Sequence, residues 1–270
     1  MSWNLLAAGV QAAGGDGEGF VAPTPEEFYQ PLIGSGDWAI TRPMVVAGIS
    51  VVIIAWFLVA TTRKATVVPG KAQWVTESVY NAVRNGLARD IIGSRDFLKF
   101  VPLLFSLFTF ILLNNLFGII PPVLFPTMSR IGFPIALTLF VFVVYHVVGV
   151  RKHGLAGYFA HMVPTGLPKA MLPLIIPLEL LTYFVTRPLT LALRLFGNMF
   201  AGHLLLVLFI LGGEYLLFES AGIGMKVAGI GSFILAFVMT AFEGLIQFLQ
   251  AYIFTLLAAT YIAGSLADEH

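Results

Sequence analysis

Arg194 lies inside the apolar stretch RPLTLALRLFGNMFAGHLLLVLFIL, residues 187–211, with no acidic residue within ten positions on either side. An arginine at mid-span costs about 2.5–3.5 kcal/mol on insertion scales, and ionisable residues there are functional by default. Arg187, nearer the start of the run, fits a long cation that snorkels to the interface. Arg194 does not, because it is the 24th residue of a 41-residue run from Met171 to Leu211. A guanidinium keeps its proton in proteins, so it cannot relay one and it blocks hopping through its position. It attracts a carboxylate by about 4 kcal/mol at 4 Å and an effective dielectric near 20. A cation at that distance also favours the ionised carboxylate. An intramembrane arginine can thus strip a proton from an approaching carboxylic acid while preventing a leak. Lysine is a poor substitute, since a buried lysine can lose its charge. Only Glu179 and Glu243 lie within the two long apolar runs of the last third. A permanent pair with either would silence Arg194; the alternative is a carboxylate on another subunit that comes and goes.

Asn198 follows Arg194 by four residues, on nearly the same helix face. His203 follows by nine, a turn of about 900°, and so points to the opposite side and another cavity. Glu243, Gln247 and Gln250 fall at i, i+4 and i+7, one polar stripe on an otherwise apolar helix. Polar side chains in hydrocarbon need partners or water. Interhelical hydrogen bonding accounts for Gln247. Glu243 and His203 can gain and lose protons, which points to a wet path. Gly197, Gly202 and Gly244 leave room for close helix packing. Asn114, Asn115, Tyr145 and His146 read as packing or hydrogen-bonding groups of earlier spans, with Asn115 a second candidate for the water path. His146, His153 and His161 recur at seven and eight residues, which fits no common ligand pattern, so no metal is expected. There is no Gly-rich phosphate loop and no nucleophile motif, so no cofactor and no covalent chemistry are expected.

These residues need a membrane to act across, and the composition supplies one. The 270 residues are 58% hydrophobic and 11% charged, against about 25% charged in soluble domains. The long continuous apolar runs predict an all-α polytopic membrane protein. The net charge of +1 gives no reason to expect nucleic acid, and the absence of cysteine excludes disulfides and thiolate metal sites. The N-terminus lacks the basic n-region of a signal peptide, and 1–40 reads as a Gly-rich, acidic tail outside the bilayer. The predicted organisation is a span at 43–62, an amphipathic interfacial helix at 71–92, and spans at 98–120 and 132–150. A loop at 153–170 precedes a hairpin of two long helices, 171–211 and 227–264, giving about five membrane-inserted helices in a membrane domain of 41–270. In 71–92, Trp74, Val75, Val79, Val83 and Leu87 recur at helical spacing with Glu77, Arg84 and Arg89 between them. Each of the last two runs would be roughly 60 Å long, about twice the hydrocarbon thickness, which predicts strong tilt and an antiparallel pair. Seven Lys/Arg lie from Arg63 to Lys99 and three from Arg151 to Lys169, against Arg42, Arg130 and Lys226 on the other side. The basic loops and the C-terminus are therefore expected in the cytoplasm and the N-terminus outside.

The segments PLTLALRLFGNMFAGHLL, EGLIQFLQAYIFTLLAATYIAG and LLNNLFGIIP closely resemble the subunit a family of ATP synthases, the membrane stator facing a ring of c subunits. The resemblance runs from about Pro43 to the C-terminus. It implies that Arg194 is the family's essential arginine, with Asn198 and Gln250 beside it. It implies that His203 and Glu243 are the protonatable pair of the outer half-channel, with acid and histidine exchanged relative to some members. Gln247 and Asn115 are possible secondary positions. Gly118 stands where some members carry an acid, and Glu179 lies one residue out of register, so neither receives a role. The implied function is a proton-translocating, non-catalytic stator subunit. Its two aqueous half-channels load and unload a carboxylate on the c-ring. The implied partners are the c-ring, a peripheral-stalk b-type subunit and membrane lipid, with ATP handled only in a separate soluble sector. The implied location is a bacterial plasma membrane. A proton-coupled secondary transporter is the alternative, but it predicts internal repeats, and none is found. A quinone-handling respiratory subunit would need cofactor ligands such as paired histidines, which the isolated His146 and His203 do not supply.

Overall fold

A computed structural model of the chain describes residues 31–33, 40–63, 66–120, 127–162 and 171–267. They hold five helices long and apolar enough to cross a membrane: Arg42–Thr62, Phe97–Leu116, Gly132–Phe159, Leu172–Phe218 and Ile223–Leu266. The chain is an all-α multi-pass membrane protein. The expected tail departs from a plain coil where it is described. Pro31–Ile33 (β1) pairs antiparallel with Ile40–Thr41 (β2), Pro31 opposite Thr41. Proline is tolerated at the first position of such an edge strand because its missing N–H is not needed there. The rest of the tail, residues 121–126, 163–170 of the expected loop and the last three residues lie outside the described residues.

Helix α1 is Arg42–Thr62. Pro43 suits its first turn, where a missing N–H costs nothing. Thr61 and Thr62 turn their hydroxyls back onto the carbonyls of Phe57 and Leu58, so its apolar end exposes few unsatisfied groups. Only 6% of its apolar window is buried, which leaves the flank carrying Val52 and Trp56 open to lipid or partners. Helix α2, Lys71–Asn81, runs on through a π-helical stretch at Ala82–Arg89 and a last turn at Asp90–Ile92. Its second half buries Val83, Leu87 and Ala88, whereas Trp74 and Val75, expected on the same apolar face, are exposed.

Helix α3 is Phe97–Leu116, four residues short of the expected end at 120. The chain tightens there, Gly118 N–H bonding Asn115 O at 2.9 Å and Ile119 N–H bonding Leu116 O at 3.0 Å. Such i→i+3 bonds satisfy the last carbonyls and stop the helix. Helix α4, Gly132–His161, runs past the expected end at 150. It breaks only at Gly154, whose φ of 71° is one that L side chains rarely adopt. The segment 153–161, expected as loop, is therefore helical on both sides of the break. Tyr158 folds back onto the chain before it: a Cβ on Gly149 would lie 2.3 Å from the Tyr158 ring.

Helix α5 is Leu172–Leu181, continued by a π-helical turn at Thr182–Thr186 into α6, Arg187–Phe218. Helix α7 is Ile223–Leu266. The expected loop 212–226 shrinks to the four residues between Phe218 and Ile223, because Gly213 lies inside α6 as a contact point with α7. A Cβ on Gly213 would lie 3.1 Å from the Phe233 ring, and one on Gly229 would lie 2.7 Å from Leu217 Cγ. Ser232 Oγ donates to Phe209 O at 2.7 Å, and farther along Glu243 meets Gly202. The partners climb one helix as they descend the other, so α6 and α7 are antiparallel over this stretch. The described residues divide into two compact units, those within 31–49, 113–130 and 197–249 forming one and those within 50–112, 131–196 and 250–267 the other.

Candidate functional site

The first unit holds Asn115, Asn198, His203, Glu243 and Gln247. Glu243 is 4% exposed, Gln247 3%, His203 7% and Asn115 1%. Helical spacing sets Glu243 and Gln247 one turn apart on α7, and Gln247 Nε2 donates to Glu243 Oε1 at 3.1 Å. The same Nε2 meets Met199 Sδ at 3.8 Å. From the end of α3, Asn115 Nδ2 donates to the main-chain oxygen of Gln247 at 3.2 Å. Three groups from two helices thus form one buried chain, Asn115 to Gln247 to Glu243. The carboxylate also lies against α6, with Oε1 3.3 Å from where a Cβ on Gly202 would stand. His203 is the next residue, so the two titratable groups arise from adjoining positions of packed helices.

The chain is rich in acceptors. Glu243 Oε2, Gln247 Oε1 and Asn115 Oδ1 are buried and meet no hydrogen-bond donor among the described residues. A buried acceptor without a donor costs about 1–3 kcal/mol. A proton on Glu243 or water brought to these oxygens relieves that cost. The cluster is therefore suited to take up a proton or hold water beside a carboxyl group.

Asn198, Gly197 and Gly244 lie in different surroundings. Asn198 is exposed. Gly197 has no neighbour where a Cβ would stand, and Gly244 faces Ile119 at 3.2 Å.

The second unit holds Arg194 and Gln250. Leu191, Ala192 and Leu195 carry the packed side of α6 at 2%, 5% and 0% exposure. Helical spacing turns Arg194 away from them, and it is exposed. It makes no hydrogen bond or ion pair with any described residue. Gln250 is buried at 3% exposure.

Arg187 departs from the expected snorkelling. Its guanidinium lies 3.6 Å from the ring centre of Tyr183 and 5.3 Å from that of Tyr261. Tyr145 donates its hydroxyl to Tyr183 O at 3.2 Å, and its ring lies 5.7 Å from Tyr261. His146 sits beside it as a packing group, its Nδ1 2.9 Å from Phe142 O and its ring 4.0 Å from the Phe142 ring. Tyr183 and Arg187 stand at i and i+4, a signal present in the sequence. Tyr261 lies 74 residues beyond Arg187, and no local pattern points to it.

The family described as ATP synthase A chain matches residues 44–263. The protein named ATP synthase subunit a from Nocardioides sp. is 48% identical over 269 residues, covering 94% of this chain and 96% of the relative. The protein of that name from Streptomyces lividans is 42% identical, covering 94% and 91%. The one from Rhodococcus erythropolis is 36% identical, covering 93% and 92%.

Proposed function

Since this chain belongs to the ATP synthase A chain family, we propose a residue-level route for the proton that it moves as the stator subunit of an ATP synthase. The proton enters from the outer side past His203 and Glu243, with Asn115 and Gln247 supporting the path. It is handed to a carboxylate on a neighbouring ring of c subunits. The ring turns through lipid with that carboxylate neutral, because a charge there is costly. On return the carboxylate meets Arg194, ionises against the fixed cation and releases its proton toward the cytoplasm. Asn198 and Gln250 are the polar groups beside that encounter. A b-type subunit of the peripheral stalk holds the chain still. The basic loops and the C-terminus lie in the cytoplasm. Helices α6 and α7, of 32 and 44 residues, exceed the ~20 residues an upright span needs and cross with a steep tilt.

The observation that carries this reading is the state of Arg194. It is a permanent cation within a membrane helix, turned outward and paired with no carboxylate among the described residues. A charge in that position has use only if its counter-charge arrives from another subunit. Replacing it tests the reading. Arg194→Ala should abolish ATP-driven acidification of inverted membrane vesicles while the complex still assembles. Normal pumping by the variant would reject the role.

A further inference from the structure

Arg187 and Arg194 are seven residues apart on α6, so they share one helix face, about 10 Å apart along the axis. Both lie in the second unit, yet their surroundings differ. Arg194 is exposed and has no hydrogen-bond or ion-pair partner among the described residues, whereas Arg187 is half-buried between two aromatic faces. One face, Tyr183, comes from the π-helical turn just before α6. The other, Tyr261, comes from α7. Tyr145 of α4 bonds the main-chain oxygen of Tyr183 and packs on Tyr261. The guanidinium is thus the point where three helices are tied together, two turns before Arg194.

A π-helical turn matters here because it takes up one extra residue and rotates everything after it. Without a fixed point the segment carrying Arg194 could settle in more than one rotation about its axis. We propose that Arg187, stacked between Tyr183 and Tyr261, is a positioning residue that fixes the rotation and axial register of α6 and so the place at which Arg194 meets the rotor carboxylate. The requirement is for a flat cation against aromatic faces, not for positive charge alone. This rests on the role given to Arg194 above.

The test uses the assembled complex in inverted vesicles, with ATP-driven acidification, passive proton leak and the amount of assembled complex read together. Arg187→Lys keeps the charge but loses the planar stack. Tyr261→Leu removes one face, and Tyr261→Phe restores it. Coupled pumping per assembled complex should fall at least about fivefold in Arg187→Lys and Tyr261→Leu, with passive leak raised. Tyr261→Phe should pump like the parent. Wild-type coupling in either Arg187→Lys or Tyr261→Leu overturns the proposal. If those variants fail to assemble, a series of increasingly fluorinated phenylalanines at 261 keeps the ring's shape and weakens its negative face. Pumping should decline along that series, and a flat response overturns the proposal. Arg194→Ala runs alongside. Should it pump normally, the earlier reading fails, whereas a dead Arg194→Ala beside a normal Tyr261→Leu isolates the failure to this one.

Discussion

Arg194 owes its availability to its neighbours. Leu191, Ala192 and Leu195 anchor the packed side of α6 and leave the guanidinium facing out. Substituting lysine keeps the formal charge but allows it to be lost on burial, so Arg194→Lys should pump weakly at neutral pH and worse as the pH rises, measured by acidification across a pH series. Glu243 gives a separate test. Glu243→Gln keeps the hydrogen-bond geometry with Gln247 but removes the titratable group. ATP-driven pumping should fall at least about tenfold, the scale of a lost proton-transfer group, while assembly is unchanged. Gly202→Val should act on the same step indirectly, since even a Cβ there would stand 3.3 Å from the carboxylate. The place of Arg194 inside an apolar helix and the inward stripe of Glu243 and Gln247 are legible from residue type and spacing. The bond from Asn115 is not, because it joins positions 132 residues apart and nothing local encodes it. Arg187 misleads for a related reason: a cation near a helix end looks like a snorkelling one until the distant Tyr261 is placed beside it.

At the scale of elements, the number and order of apolar helices can be read from the sequence, and their ends cannot. The pair at Gly212–Gly213 looks like a turn, yet Gly213 lies inside α6 as a seat for Phe233. Packing decided that position over propensity. The hairpin supplies a stability test, because a Cβ on Gly229 would lie 2.7 Å from Leu217 and 3.1 Å from the backbone oxygen of Gly213. Overpacking of this kind costs about 1–3 kcal/mol. Gly229→Ala should lower the thermal unfolding temperature of the detergent-solubilised complex, whereas Gly197→Ala, which meets nothing, should leave it unchanged. The start of α3 has a pH response of known sign. Lys99 Nζ bonds Asp96 Oδ1 at 2.8 Å, and this hydrogen bond holds the Asp96 carboxyl below its ordinary range. The contribution is present above the carboxyl's ordinary pKa and disappears as pH falls through the lowered value. Because the pair is exposed its weight is small, and protection of the first turn of α3 against hydrogen exchange, taken relative to the intrinsic rate at each pH, should fall only in acid.

For the whole molecule, the five apolar helices and the family match fit a membrane subunit through which an ATP synthase moves protons. They also predict dependence on a partner. Vesicles holding this chain without its rotor should show no coupled flux, measured as acidification restored only when the ring is present. A secondary transporter would move protons alone.

The outward cation of α6 bears on how a cell can build such a machine. An orphan copy would offer a bare guanidinium to lipid, at an insertion penalty near 2.5–3.5 kcal/mol. On the proposed reading, a rotor carboxylate that ionises on meeting Arg194 removes that penalty. Biogenesis should therefore favour a late arrival, with the stator docking on a closed ring instead of waiting for one. Surplus copies should be short-lived prey for membrane proteases, and pulse-chase labelling in a strain lacking the ring should show that shortened lifetime.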